Sequence, residues 1–143
     1  MLWAGGTGCR CGWRIIARSD RLSRVPGGLY VLTPARLCGD PLLRAVEAAL
    51  DGGARIVQYR GKAGATLAEA LALRRLCQMR AVPFLVNDDP ALARAAGADG
   101  VHVGRDDTGC AAARAMLGPS AIIGVSCYDR FDLAADAISA GAD

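Results

Sequence analysis

Lysine, histidine and asparagine occur once each in this 143-residue chain, and aromatic residues make up only 5% of it. No apolar run approaches the ~18–20 residues a helix needs to span a membrane. The net charge of +3 is too small to argue for a nucleic-acid partner. Five arginines (Arg10, Arg14, Arg18, Arg21 and Arg24) fall in the first 26 residues. The remainder is close to neutral and shows no basic stripe with interleaved aromatics. The start has no continuous apolar segment, which argues against a secretory signal. Residues 1–27 carry neither helical periodicity nor caps and are expected to be a disordered amino-terminal extension. Their arginine-rich, acid-poor character is a faint echo of an organelle transit peptide, without its clean amphipathic pattern.

Cysteine, by contrast, is plentiful at six. Only Cys9 and Cys11 are close-set, and that spacing alone is weak evidence for metal. Scattered cysteines read as small buried hydrophobes in a reducing compartment. A cytoplasmic location is the matching expectation.

From Gly28 onward the chain cycles. Short Val/Ile/Leu runs (Leu29–Leu32, Ile56-Val57, Phe84–Val86, Val101–Val103, Ile122–Val125) alternate with alanine-rich stretches of helical periodicity. The expected helices begin near Asp40, read as an N-cap before Pro41, and at Leu67, behind a Thr66/Glu69 capping box. Others span Pro90 to Ala96 behind an Asp89 cap, Thr108 to Leu117, and Leu133 to Ala140. Three junctions repeat: Gly53-Ala54-Arg55, Gly97-Ala98-Asp99 and Gly141-Ala142-Asp143. Glycine supplies a left-handed residue after each helix. The first two junctions lead straight into a strand, so a sixth strand is expected to follow the third. Residues 28–143 therefore read as an α/β domain of five βα units with a parallel sheet. They fit either a doubly wound sheet or part of an eight-fold barrel truncated before the sixth strand. In both, ligands bind beyond the carboxyl ends of the strands.

The polar clusters sit at those ends. Gln58, Arg60 and Lys62 alternate after the second strand, so their side chains share a face. Two cations and an amide donor suit a phosphate or pyrophosphate. Asn87, Asp88 and Asp89 follow the third strand, and Asp106 and Asp107 follow the fourth. Asp89 is assigned to capping, which leaves Asp88 and Asp107 as the favoured ligands of one Mg²⁺ ion. Such an ion takes one or two carboxylates, several waters and phosphate oxygens. Ser126, after the fifth strand, is a further donor at the same rim. His102 lies between two valines and reads as a hydrogen-bonded core residue rather than a catalytic one.

These segments, in this order, resemble thiamine-phosphate synthase. The resemblance rests on Leu29–Thr33, Gly53 through Lys62, Val82 through Asp88, Gly97 through Gly104, Asp107, and Gly124-Val125-Ser126. It covers Gly28 to Asp143. It implies a TIM-barrel transferase that joins 4-amino-2-methyl-5-hydroxymethylpyrimidine diphosphate to hydroxyethylthiazole phosphate and releases pyrophosphate. It further implies Mg²⁺ as cofactor and small molecules as the partners. Neither nucleic acid nor membrane is expected from the charge and hydropathy above, and the exposed edges of an open barrel piece allow a homo-oligomer. By the same resemblance Arg60, Lys62 and Asn87 neutralise the pyrophosphate, Asp88 and Asp107 position the metal, Gln58 orients the pyrimidine, and Ser126 bonds near the bridge between ring and diphosphate. Gly61 stands where the family often has glutamate. The family's later lysine and its thiazole-phosphate loops belong beyond a sixth strand, outside these residues. Two other readings stand beside the enzyme: an inactive half-barrel that works by association, and a thiazole tautomerase, which shares the fold but need not bind a diphosphate.

Overall fold

The computed structural model describes residues 25–61, 64–104 and 109–143. Lys62, Asp106 and Asp107, and residues 1–24 of the expected extension, lie outside the described residues. Five strands alternate with five helices: β1 (Leu29–Leu32), α1 (Gly39–Asp51), β2 (Ala54–Tyr59), α2 (Leu67–Met79), β3 (Phe84–Asn87), α3 (Pro90–Ala96), β4 (Gly100–Val103), α4 (Cys110–Leu117), β5 (Ile122–Val125) and α5 (Phe131–Ser139). No helix among them is long and apolar enough to cross a membrane.

All four strand pairings are parallel, and the order is β1-β2-β3-β4-β5. That order separates the two architectures the repeat left open. A doubly wound sheet reverses direction at a switch point, whereas here each unit adds on the same side, as in a barrel. Alternate strand residues supply two different apolar layers. Val57, Tyr59, Phe84, Val86, Val101, Val103 and Ile123 pack outward against Leu42, Val46, Leu73 and Cys77 of the helices. Ile56, Leu85 and Ile122, with Tyr30 and Val25, form a smaller layer on the opposite, concave face. Leu42, Leu73 and Phe84 are fully buried, each stabilising the fold by about 1.5–3 kcal/mol.

Two helix starts differ from the sequence expectation. Asp40 is not the N-cap of α1: that residue is Cys38, with no side-chain cap, and Asp40 lies in the first turn. The missing acceptor comes from α2, where Glu69 Oε1 accepts the Gly39 N–H at 2.6 Å. The capping box of α2 is consequently half formed. Thr66 Oγ1 accepts the Glu69 N–H at 3.2 Å, but the Glu69 carboxylate is engaged elsewhere and does not reach back to the Thr66 N–H. At α3 the expected cap is present, with the Leu92 N–H donating to Asp89 Oδ1 at 2.9 Å. Helix α5 opens at Phe131, two residues before the expected start.

The three Gly-Ala junctions behave alike, with φ of +90° at Gly53, +63° at Gly97 and +97° at Gly141. The second and third share more. Asp99 Oδ2 accepts the Phe84 N–H at 2.8 Å, and Arg74 Nε donates to the Gly97 carbonyl at 2.8 Å. At the third junction, Asp143 Oδ2 accepts the Ile123 N–H at 2.9 Å, and Arg114 donates to the Gly141 carbonyl. One Arg–Gly–Asp clamp thus occurs twice, each time fastening a helix and a Gly-Ala-Asp junction to the amino end of the preceding strand. Of the described cysteines, all free, Cys77 and Cys110 are buried as expected, whereas Cys38 is exposed.

Candidate active site

The concave face carries polar residues at the carboxyl ends of its strands. Asn87 and His102 stand opposite each other in the β3–β4 register, and His102 stands opposite Gly124 in β4–β5. Two hydrogen-bonded groups meet along this row. In the first, Tyr30 Oη donates to Gln58 Oε1 at 2.9 Å, and Gln58 Nε2 donates in turn to Asn87 Oδ1. In the second, His102 Nε2 and Ser126 Oγ are 2.8 Å apart.

The first group has a direction. Burial pushes the Tyr30 phenol up to about 12, so its proton stays in place across the physiological range. Gln58 is 2% exposed, and reversing its amide would leave the phenol O–H without that acceptor, a penalty of roughly 1–3 kcal/mol. With Gln58 Oε1 on the tyrosine and Nε2 on Asn87 Oδ1, the Nδ2 end of Asn87 remains to serve as a donor. A donor end at this rim suits an anion.

Arg60 and Asp88 flank the row. The Arg60 N–H donates to Thr33 Oγ1 at 2.8 Å, and Thr33 is itself buried at the end of β1. Asp88 is exposed and has φ of +65°, an uncommon conformation for a residue with a side chain. Its N–H donates to the His102 carbonyl at 2.8 Å, which continues the β3–β4 ladder while the chain turns into the Asp89 cap. The left-handed turn separates the roles of two successive carboxylates: Asp89 closes α3 and Asp88 stands at the strand end. Such strained residues concentrate at functional sites.

Gln58, Asn87 and Ser126 are therefore brought together on one face, with Arg60 and Asp88 at its margin. Lys62 and Asp107 lie outside the described residues. His102 is hydrogen-bonded, as the sequence reading had it, and half-buried on the concave face beside Asn87. A Cβ on Gly124 would stand 2.5 Å from its Nδ1, so the ring occupies space that only glycine leaves. Tyr30 and Thr33 were not singled out by the sequence. Their signal was a hydroxyl at each of two positions in an otherwise apolar first strand and its end. Gly61 has no room for a side chain: a Cβ there would lie 2.6 Å from the Cα of Ala65 and 2.8 Å from Tyr59 Oη.

The chain is 50% identical over 119 residues to thiamine-phosphate synthase of Methylococcus capsulatus, covering 81% of this chain and 53% of that protein. It is 53% identical over 118 residues to thiamine-phosphate synthase of Chromobacterium violaceum, covering 80% and 57%. Among solved structures, thiamine phosphate pyrophosphorylase from Pyrococcus furiosus superposes with a TM-score of 0.72 at 33% identity, over 87% of this chain and 60% of that one. The chain spans about half the length of the curated relatives it matches. The model of the thiamine monophosphate synthase family matches residues 29–143, and the chain belongs to that family.

Proposed function

We propose that these residues form the pyrimidine-diphosphate side of a thiamine-phosphate synthase site. The enzyme joins hydroxymethylpyrimidine diphosphate to hydroxyethylthiazole phosphate and releases pyrophosphate, and it works in the cytoplasm. The observation that carries the reading is the directed Tyr30–Gln58–Asn87 chain on the concave face, which sets a buried amide beside a donor end at the strand rim. Gln58 orients the pyrimidine ring. Asn87, Arg60 and Lys62 meet the diphosphate, where donors aimed at the departing group stabilise the charge that builds on it. Ser126, held by His102, bonds near the bridge between ring and diphosphate.

The donors present fit Mg²⁺. Among the described residues no group of three His, Cys, Asp or Glu side chains gathers, but this ion uses one or two carboxylates and takes its other oxygens from water and phosphate. Asp88, exposed at the end of β3, and Asp107, after β4, would hold it. Bound there, the ion supplies Lewis-acid stabilisation of the leaving pyrophosphate. The relatives described above carry the synthase name, and they lend no support to the tautomerase or inactive half-barrel readings.

Calorimetry with pyrophosphate tests the reading. Binding should require Mg²⁺, and Lys62→Ala should weaken it by roughly 1.5–3 kcal/mol, the range of a charge-assisted bond. Equal affinity with and without Mg²⁺ would remove Asp88 and Asp107 from the ligand set.

A further inference from the structure

The segment that carries Arg60 begins and ends on one phenol. Tyr59, the last residue of β2, is 1% exposed and packs in the helix layer, on the far side of the strand from Gln58. Its Oη donates to Glu69 Oε2 at 2.6 Å and accepts the Thr66 N–H at 3.2 Å. Both ends of the segment between β2 and α2 are therefore tied to a single side chain. The other oxygen of Glu69 accepts the Gly39 N–H, which draws the amino end of α1 into the same knot.

Inside the segment the Gly64 N–H donates to the Gly61 carbonyl at 3.0 Å. Gly61 passes so close to the phenol that no Cβ fits between them. From the opposite side, Thr33 Oγ1 holds the Arg60 N–H. The backbone around Arg60 is thus fixed from β1, from β2 and from α2 by groups that lie outside the concave row. Such fixing matters for a guanidinium. Its fork recognises phosphate only when correctly aimed, and ordering it before the ligand arrives removes part of the entropic cost of binding.

We propose that the Tyr59–Glu69 pair is a positioning device for Arg60, holding the backbone at Arg60-Gly61 and at Gly64 to Thr66 so that the guanidinium meets a diphosphate. The pair touches no ligand, and its effect runs through Arg60. This inference rests on the diphosphate reading of the rim.

Two variants and two measurements test it. Tyr59→Phe removes one oxygen at nearly constant shape, and Glu69→Gln keeps the side-chain length while removing the charge. In the ligand-free chain, hydrogen exchange at the amides of Arg60, Gly61 and Gly64–Thr66 should quicken roughly tenfold in either variant. Calorimetry with inorganic pyrophosphate and Mg²⁺ should show roughly tenfold weaker binding in Tyr59→Phe. That loss should vanish in an Arg60→Ala background, where nothing is left to position. Equal losses in both backgrounds would reduce Tyr59 to general packing and overturn the proposal. Unchanged exchange across the segment would overturn it as well. A wild-type chain that takes up no pyrophosphate, yet shows the exchange effect, would overturn the diphosphate reading while supporting the ordering of the Arg60 segment by the pair.

Discussion

Gly100 and Gly124 lie on neighbouring strands, and a methyl group added to either meets something different. At Gly100 the new carbon would stand 1.8 Å from the Ile122 carbonyl oxygen. That neighbour is backbone in the β4–β5 ladder and cannot yield without breaking the pairing. Gly100→Ala should destabilise the domain by about 3 kcal/mol, the upper end for overpacking, read from urea unfolding. At Gly124 the obstacle is the His102 ring, which can swing. Gly124→Ala should cost less than ~1.5 kcal/mol of stability while separating His102 from Ser126. The chain has a single histidine, so its imidazole signals in nuclear magnetic resonance are a clean reporter. They should shift towards solvent-exposed values in Gly124→Ala, and unchanged signals would show that the ring does not depend on that glycine.

Among the elements, the repeated clamp gives two versions of one device in different surroundings. Asp99 is 37% exposed and its partner Arg74 23%, with their charged atoms 3.6 Å apart. The Asp143 side chain is fully buried and lies 2.5 Å from Arg114, itself 15% exposed. The second oxygen of Asp143 is buried without a hydrogen bond among the described residues. Removing a partner from a buried charge costs about 3–5 kcal/mol, whereas an exposed pair contributes at most ~1. Arg114→Leu should accordingly destabilise the domain several times more than Arg74→Leu in thermal or chemical unfolding. Similar losses would mean that solvent reaches the Asp143 carboxylate.

The knot between α1 and α2 predicts a dependence on pH. The Tyr59 phenol and the Gly39 amide hold the Glu69 carboxyl below its ordinary value. A carboxyl lowered in the folded state stabilises the fold above its unfolded pKa of ~4.3 and loses that contribution as pH falls through the lower folded value. Wild type should therefore exceed Glu69→Gln in melting temperature at neutral pH. The gap should narrow steadily below about pH 4.3. Melting curves that stay parallel down to pH 2 would sink this assignment.

At the scale of the whole molecule, the described sheet is open, with β1 and β5 as its two edges. Leu29 and Leu32 on β1 are 55% and 50% exposed, and Phe131 on α5 is 86% exposed. Unpaired strand edges beside exposed apolar side chains favour association. A polypeptide of these 143 residues should sediment as more than a monomer at micromolar concentration, and Leu32→Lys with Phe131→Lys should shift it towards monomer. A monomer at every concentration would show that neither edge is available.

The sequence by itself determined what depends on neighbours a few residues away. The positions of five strands and five helices follow from the change between two-residue and helical periodicity. The Asp89 cap and the left-handed glycines at 53, 97 and 141 follow from local backbone chemistry, which needs no distant partner. Tertiary structure decided the rest. A barrel and a doubly wound sheet share the same βα pattern, and only the order in which strands meet separates them. Parity places His102 opposite its valine neighbours, but only the curl of the sheet turns that side into the concave face where Ser126 waits. Asp40 lost the cap of α1 because Glu69, thirty residues on from Gly39, supplies the acceptor instead. The partners of the Tyr30, Thr33 and Tyr59 hydroxyls were decided in the same way: each bonds a residue at least seven positions away, and only folding makes them neighbours.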